Sequence, residues 1–221
     1  MHVFIHIPKT GGTTLEHILK QQYGQDELYA LRPRKGVVLN SFLTLSPSEM
    51  NSIKVLKGHL TFGVHEKIRD IANIKYFSMI RKPENRLVSL YRHIQRDIKH
   101  PQHHKFKGFT FSEFLNNPYS TRYQNHQIFQ LTATKPNNKN FKNLLVMIEE
   151  HYSFVGVQEK YNASLQRLST IMKWNQPFEI IKRNVSTENT YNLNTDERKL
   201  IRRENQFDYK LYDYVCQKYL S

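Results

Sequence analysis

Short apolar runs and helical stripes of apolar residues alternate along this chain. The first apolar run covers residues 2–7, and Pro8, which follows it directly, ends the predicted strand. Leu15, Ile18 and Leu19 then recur at the spacing of one helical face. The opening of the chain therefore predicts a strand, a loop and a helix, in that order.

The same alternation continues to the end of the chain. Further strands are predicted at 54–57, 75–80 and 154–157. Helices are predicted to start at Ser46 and Thr110, to cover 87–94, 144–148 and 161–172, and to run from Asn194 to Ser221. The polar residues 99–109 predict a loop, and Asn137–Asn140 predicts a turn. Because parallel strands need crossover connections, this order predicts an α/β fold with a P-loop-like, mainly parallel central sheet flanked by helices and a helical C-terminus.

The length and composition fit a single folded domain over residues 1–221. A chain of 221 residues, with 38% hydrophobic and 12% aromatic residues, buries enough apolar surface to offset its chain entropy. The sequence contains neither an internal repeat nor a domain-scale linker. We therefore expect one core.

The chain is strongly basic. Its 33 Lys and Arg against 19 Asp and Glu give a formal net charge of +14, and such a field attracts anions. A nucleotide, an acidic glycan, a nucleic acid or an anionic membrane would each satisfy this charge, and a merely basic surface has the same composition. Charge by itself does not choose among these partners.

The sequence also excludes several kinds of site. The single cysteine, Cys216, rules out an intrachain disulfide framework and a cysteine-based zinc site, and we interpret it as a packed residue of the last helix. No apolar run approaches the roughly 20 residues of a membrane span, and Met1 leads into a strand without signal-peptide architecture. We expect a soluble chain, either cytoplasmic or separated from an anchor.

Residues 9–14, Lys-Thr-Gly-Gly-Thr-Thr, connect the first strand to the first helix. Such a connection points unpaired backbone N–H groups and the positive end of the helix at one place. Gly11 and Gly12 let the backbone turn closely around a ligand, the threonines carry hydroxyl donors, and Lys9 adds a mobile charge. The segment is a candidate oxyanion cradle; the simpler alternative is a glycine turn whose threonines cap the helix.

This spacing differs from that of a nucleoside-triphosphatase P-loop, in which Lys follows the second Gly and four residues separate the glycines. Here Lys9 precedes adjacent glycines. The strand at 75–80 also ends in Arg81 rather than in the acidic residue that commonly holds a metal in phosphoryl transfer. These features favour a bare anion, and no metal is expected.

Arg81 and Ser89 form a second candidate anion site. Arg81 follows a strand and Ser89 lies on the next helix, where Arg binds a phosphate bidentately and Ser donates once. The alternative for Arg81 is a surface ion pair with Glu84 or Asp97. Two separate anion sites imply a ligand with two separate anionic groups.

These segments resemble the sulfotransferase superfamily, in particular the carbohydrate branch that contains heparan sulfate 2-O-sulfotransferases. Pro8–Thr14 resembles the family's 5'-phosphosulfate loop, and Ile80–Ser89 resembles its 3'-phosphate motif. Phe154–Glu159 is similar to a later strand and helix start, and Asn205–Tyr209 to the C-terminal helical segment. The resemblance implies that the donor is 3'-phosphoadenylyl sulfate (PAPS), that adenosine 3',5'-bisphosphate is the product and that no metal is required.

The resemblance also implies a role for individual residues. It assigns phosphosulfate binding to Lys9, Thr10, Gly11, Gly12, Thr13 and Thr14, 3'-phosphate binding to Arg81 and Ser89, and closure over the nucleotide to the region of Arg183. His59 aligns with the histidine that these relatives use as the catalytic base, and Lys57 replaces the first histidine of their His-Gly-His pattern. His59 and Lys9 are therefore the expected catalytic residues, since an imidazole accepts a proton near neutral pH and Lys9 neutralises the leaving phosphate.

Several classes of acceptor are compatible with these motifs. The resemblance favours a carbohydrate, and the net charge would suit an acidic one; a lipid-linked sugar, a small alcohol and a peptide tyrosine are alternatives. Arg92 and His93, on the helix after the 3'-phosphate motif, either face the acceptor or are solvated. A non-catalytic nucleotide-binding module and a phosphotransferase are the other functions considered.

Two further charged segments are assigned no ligand. His100, His103 and His104 are loosely spaced and flanked by lysines, so they are interpreted as an exposed loop rather than a metal site. The basic face at 198–203 carries no recognised nucleic-acid motif, so no nucleic acid is expected as a partner. No subunit interface is predicted from the sequence.

Overall fold

In the computed structural model, which describes residues 1–32, 36–68, 71, 73–175, 177–178 and 191–220, one five-stranded sheet is surrounded by helices. The strands are β1 (His2–Ile5), β2 (Leu28–Ala30), β3 (Val55–Gly58), β4 (Lys75–Ile80) and β5 (Tyr152–Val157). The helices are α1 (Gly12–Gln22), α2 (Leu39–Leu43), α3 (Pro47–Ser52), α4 (Pro83–Arg96), α5 (His103–Phe106), α6 (Phe111–Asn116), α7 (His126–Thr132), α8 (Phe141–His151), α9 (Tyr161–Met172), α10 (Thr195–Glu204) and α11 (Gln206–Leu220). Across these described ranges, none of the helices combines the length and the apolar character that a membrane crossing requires.

The strands lie side by side in the order β2-β3-β1-β4-β5, and every neighbouring pair is parallel. β1 lies in the middle, with His2 opposite Val55 of β3 on one side and Lys75 of β4 on the other. Val3–Ile5 is buried because helices cover both faces of the sheet. The predicted α/β fold with a mainly parallel central sheet is confirmed.

Side chains of each strand alternate between two apolar layers. Val3 and Ile5 lie in the layer that is completed by α7, α8 and α11. Phe4, between them, lies in the opposite layer, where Leu15 of α1 and Leu165 of α9 pack. Full burial of each such side chain stabilises the fold by about 1.5–3 kcal/mol relative to leaving it exposed. These layers fix the sheet between its helices.

Capping boxes begin the helices that were predicted from Ser46 and Thr110. The Ser46 hydroxyl accepts a hydrogen bond from the Glu49 amide, and the Glu49 carboxylate accepts one from the Ser46 amide. Thr110 and Glu113 make the same reciprocal pair. These bonds satisfy N–H groups that have no partner inside the helix, and both predicted helix starts are confirmed.

The prediction of a loop over residues 99–109 is wrong in part, because α5 lies inside this segment. Phe106 is completely buried against Phe114, with ring centroids 4.9 Å apart. His103, predicted to be exposed, is half-buried, and its Nδ1 donates to the Ile94 carbonyl at 2.8 Å. The polar composition concealed this helix because a single aromatic side chain anchors it.

The helical C-terminus is confirmed, and it consists of α10 and α11. Three other elements, β2, α2 and α7, were not predicted. α7 begins where the Asp208 carboxylate of α11 accepts hydrogen bonds from the amides of Gln127 and Ile128 at 3.1 and 2.9 Å. Because Asp208 is 80 residues from Ile128 in sequence, the local pattern carries no sign of this helix start.

Candidate active site

The carboxyl ends of the central strands bring the predicted residues to one edge of the sheet. Lys9 follows β1, His59 comes directly after β3, and Arg81 comes directly after β4. β1 pairs with both β3 and β4, so the loops from these strands are neighbours. The chain leaves β1 toward β2 on one side and leaves β4 toward β5 on the other. Ligands of α/β sheets bind at such a switch point.

The backbone from Lys9 to Gly12 exposes N–H groups at the start of α1. Lys9 and Gly11 have left-handed backbone angles, with φ of 71° and 85°. For Lys9 this conformation costs about 1–2 kcal/mol, and such strain is often kept at binding sites. Gly11 is the N-cap of α1, and no side chain in the described part of the chain caps it. The first amides of α1 are therefore available to an anion.

The threonines of this donor loop, residues 9–14, differ in exposure. Thr10 is fully buried, and its hydroxyl donates to the Ile7 carbonyl at 2.9 Å. Thr14 is also buried, whereas Thr13 is exposed. Thr13 is therefore open to a ligand, and the Thr10 side chain supports the loop from inside.

Tyr161, the first residue of α9, packs against the donor loop and was not predicted as a site residue. Its hydroxyl donates to the Gly11 carbonyl at 2.9 Å. Burial is the main cause that raises the pKa of Tyr161, so it stays a neutral donor. A Cβ atom on Gly11 would lie 2.8 Å from the Tyr161 ring, so the loop requires glycine there for space as well as for φ.

The candidate base, His59, is exposed and held in one tautomer. Its Nδ1 lies 2.8 Å from the His6 carbonyl oxygen. Because a carbonyl oxygen only accepts hydrogen bonds, Nδ1 must carry the proton. The neutral ring then has its lone pair on Nε2, which is the atom a general base needs.

Lys57, which replaces a histidine of the related pattern, lies inside the fold. The residue is 6% exposed, and its Nζ lies 2.7 Å from a carboxylate oxygen of Glu16 on α1. Burial lowers the pKa of Lys57, whereas the hydrogen bond and charge of Lys57 lower the pKa of Glu16 against its own desolvation. The short distance and the lowered pKa of Glu16 indicate an ion pair that links α1 to β3 rather than a group that faces substrate.

Arg81 is held by groups from several elements. Its guanidinium donates from Nη1 to the Lys9 carbonyl at 3.3 Å, and its Nε lies 3.7 Å from the Glu159 carboxylate. That Nε is buried and has no hydrogen-bond partner among the described residues. The side-chain amide of Gln127 accepts from the Arg81 amide and donates to its carbonyl, both at 2.8 Å. Arg81 is thus fixed beside the donor loop with unused donor capacity.

The ion-pair alternative for Arg81 is corrected by this geometry. Its carboxylate neighbour is Glu159, whereas Glu84 pairs with Lys82 at 2.7 Å. Glu159 also accepts hydrogen bonds from the Lys82 amide and the Asn85 side chain. Glu159 is therefore a candidate site residue that sequence reasoning missed, and its position two residues after the end of β5 was the available signal.

One face of α4 continues the positive region. Ser89, Arg92, His93 and Arg96 share this face at helical spacing, and all but the exposed Arg96 are half-buried. Burial, then the charges of Arg96 and Arg81, lower the pKa of Lys9. Burial, then the charge of Lys9, lowers the pKa of His93. The charges of Arg81 and Arg96 thus act on Lys9, and Lys9 acts on His93; Arg96 was not predicted.

The other predictions concern the nucleotide-closing residue and metals. Arg183 lies outside the described residues. Within the described residues, no three His, Cys, Asp or Glu side chains converge as a set of metal ligands. The site that the structure assembles is thus built from backbone amides, cations, a hydroxyl and an imidazole.

A comparison with protein families now bears on this arrangement. The model of the sulfotransferase family matches residues 2–215, which is nearly the whole chain. The chain belongs to the sulfotransferase family. In this sulfotransferase-family protein, the matched residues include all five described strands and every described site residue named above. The carbohydrate branch of the family is not distinguished by this match.

Comparisons with individual proteins add a more distant likeness. No curated protein sequence matches this chain. Among solved structures, the crystal structure of mouse sulfotransferase SULT7A1 in complex with PAP is similar, with 13% sequence identity and a TM-score of 0.44. That likeness covers 95% of this chain, and the chain spans 66% of the length of the mouse protein.

Proposed function

We propose that this protein transfers the sulfuryl group of PAPS to an acceptor hydroxyl, with a carbohydrate as the acceptor. The observation that carries this proposal is the meeting of three features at one sheet edge: the uncapped start of α1, the guanidinium of Arg81 and the free Nε2 of His59. Sulfuryl transfer from PAPS requires groups that bind the phosphosulfate, groups that bind the 3'-phosphate and a base. Membership of the sulfotransferase family supports the same reaction.

The donor loop is proposed to hold the phosphosulfate. Backbone amides from Thr10 to Thr14, the exposed Thr13 hydroxyl and the Lys9 ammonium would surround its oxygens. Arg81 and Ser89 are proposed to bind the 3'-phosphate, because the Lys9 carbonyl holds the Arg81 guanidinium beside the donor loop and Ser89 lies on the helix α4 that follows. Arg183 is proposed to close over the nucleotide.

The chemical step uses His59 and Lys9. Nε2 of His59 removes the proton from the acceptor hydroxyl as its oxygen attacks the sulfur. A new O–S bond forms while the bond between sulfur and the phosphate oxygen breaks, and the electron pair leaves with the phosphate. Lys9 and the loop amides stabilise the charge that develops there. The products are the sulfated acceptor, adenosine 3',5'-bisphosphate and a protonated His59, and the proposed step uses no metal.

A carbohydrate acceptor is proposed from the resemblance of the site motifs, and the charge would suit an acidic one. The net charge is +14, and Arg96 of α4 adds a positive charge that acts on Lys9. Arg92 and His93 are the residues proposed to contact the acceptor. A lipid-linked sugar, a small alcohol and a peptide tyrosine are the competing acceptors in the test.

The test is a transfer assay with sulfur-labelled PAPS and a panel of these acceptor classes, with mass spectrometry of the products. We expect label on a carbohydrate hydroxyl and stoichiometric release of adenosine 3',5'-bisphosphate. Binding of that nucleotide without transfer to any acceptor would instead indicate a non-catalytic nucleotide-binding module. Transfer of phosphate from a nucleoside triphosphate would indicate a phosphotransferase, and either result would reject the proposal.

A further inference from the structure

The His6 imidazole contacts both the candidate base and a buried phenylalanine. Its ring stacks on His59, with centroids 4.5 Å apart and an interplanar angle of 26°. It also stacks on Phe4, with centroids 5.6 Å apart and an interplanar angle of 12°. The ring of His59 is thus supported across its face, while the backbone carbonyl of His6 holds its Nδ1 proton.

The same imidazole also contacts the donor loop. A Cβ atom on Gly12 would lie 2.0 Å from Nε2 of His6, so the first residue of α1 packs directly against the ring edge. Glycine is required at this position because any side chain would displace the imidazole. His6 therefore touches the base through its face and the donor loop through its edge.

Burial and the surrounding charges keep His6 neutral. Burial, then the neighbouring His59, Lys57 and Lys9, together lower its pKa to about 3, and Glu16 on α1 opposes them. These groups come from β3, the donor loop and α1, which are the elements that pack around the ring. An uncharged His6 does not compete with His59 for the acceptor proton.

We propose that His6 is a positioning residue that keeps the His59 ring in the orientation with Nδ1 on the His6 carbonyl and sets its distance from the donor loop. This inference rests on the proposed function, because it gives His6 its effect through the base. His6 does not touch the reacting atoms. It acts through its contacts with the base, His59, and with Gly12 of the donor loop. Misplacement of a catalytic group by about 1 Å costs on the order of 100-fold in rate.

The kinetic test compares His6→Ala with His6→Asn. We expect His6→Ala to lower kcat by about 10- to 100-fold, while KM for PAPS and the affinity for adenosine 3',5'-bisphosphate change less than about 3-fold. His6→Asn keeps a planar group against His59 and should recover part of kcat. The matched control is His151→Ala, which removes another half-buried ring. That ring makes an edge-to-face contact with Phe62 at 4.9 Å and directly precedes β5, at the amino ends of the strands.

A spectroscopic readout tests positioning without turnover. Long-range proton–nitrogen NMR of the imidazole rings reports which nitrogen carries the proton. We expect His59 of the wild type to be the Nδ1–H tautomer and His59 of His6→Ala to populate both tautomers. The His151→Ala protein should keep the single tautomer.

The outcomes separate this inference from the proposed function. An unchanged kcat together with an unchanged His59 tautomer in both His6 variants would overturn it. So would a loss of kcat that only follows the unfolded fraction measured by thermal denaturation. If the wild type transfers no sulfuryl group to any acceptor, the proposed function fails, and the NMR comparison then decides the positioning role alone.

Discussion

A single hydrogen bond defines what His59 is able to do. Its Nδ1 proton is held by the His6 carbonyl, so only Nε2 remains to accept a proton. Arg81 is held by the Lys9 carbonyl and lies beside Glu159. Both side chains are oriented by other loops before a ligand arrives, which reduces the reorganisation needed during reaction.

Replacing the candidate base should separate binding from chemistry. We expect His59→Ala to lower kcat at least about 100-fold, since general base catalysis typically contributes 10²–10⁴. Calorimetric affinity for adenosine 3',5'-bisphosphate should stay within about 3-fold, because the donor loop is intact. The control is His17→Ala, on α1, which should keep the wild-type kcat and the wild-type affinity for adenosine 3',5'-bisphosphate. A wild-type kcat in His59→Ala would remove this residue from the mechanism.

Replacing Arg81 should remove the discrimination between adenosine 3',5'-bisphosphate and 5'-AMP. A charge-assisted contact is worth about 1.5–3 kcal/mol, which corresponds to roughly 10- to 150-fold in the ratio of the two dissociation constants. Calorimetry on Arg81→Ala measures that ratio. Arg203→Ala, an exposed arginine of α10, should leave it unchanged. A ratio that is undiminished in Arg81→Ala contradicts the 3'-phosphate assignment.

At the scale of elements, the start of α1 depends on α9. Tyr161→Phe removes the hydroxyl that bonds the Gly11 carbonyl at 2.9 Å and keeps the ring. Because a hydrogen bond contributes about 0.5–1.5 kcal/mol net, we expect adenosine 3',5'-bisphosphate to bind about 2- to 10-fold more weakly. Titration calorimetry measures this change.

The control for Tyr161→Phe is Tyr152→Phe. The Tyr152 hydroxyl is buried and donates to the Leu131 carbonyl at 2.7 Å, in the layer of α7 and α8. Its loss should lower stability and leave nucleotide affinity unchanged. Equal affinity losses in the two variants would mean that the Tyr161 hydroxyl has no specific effect on the donor loop.

Elements with strong local signals were predicted, and those held by distant partners were not. The capping boxes at Ser46 and Thr110 act within one helical turn, so the sequence shows them directly. α5 depends on the burial of Phe106 against Phe114, and α7 depends on Asp208 from the far end of the chain. Such contacts leave no periodic trace.

At the scale of the whole molecule, stability should fall on acidification. Burial lowers the pKa of both His6 and His126 to about 3. In the unfolded chain, histidine binds a proton below a pKa of about 6.5. Between these values the unfolded state binds more protons, so the free energy of unfolding decreases as pH falls from about 6.5 toward 3.

Each of these histidines contributes on the order of 1 kcal/mol per pH unit within that window. Urea unfolding at several pH values measures the slope. The variants His6→Asn and His126→Asn should each have a shallower slope, because one titrating group is removed. A slope that is identical to that of the wild type in both variants would contradict this account.

The sequence by itself determined the α/β order and the two anion motifs, because periodicity, caps and loop spacing are local, and its resemblance to the sulfotransferase family chose the histidine to test. Only the tertiary structure decided which carboxylate faces Arg81, that Lys57 is tied to Glu16, and that Tyr161 and His6 hold the donor loop and the base. These contacts depend on the register and order of parallel strands, which join residues as far as 150 positions apart.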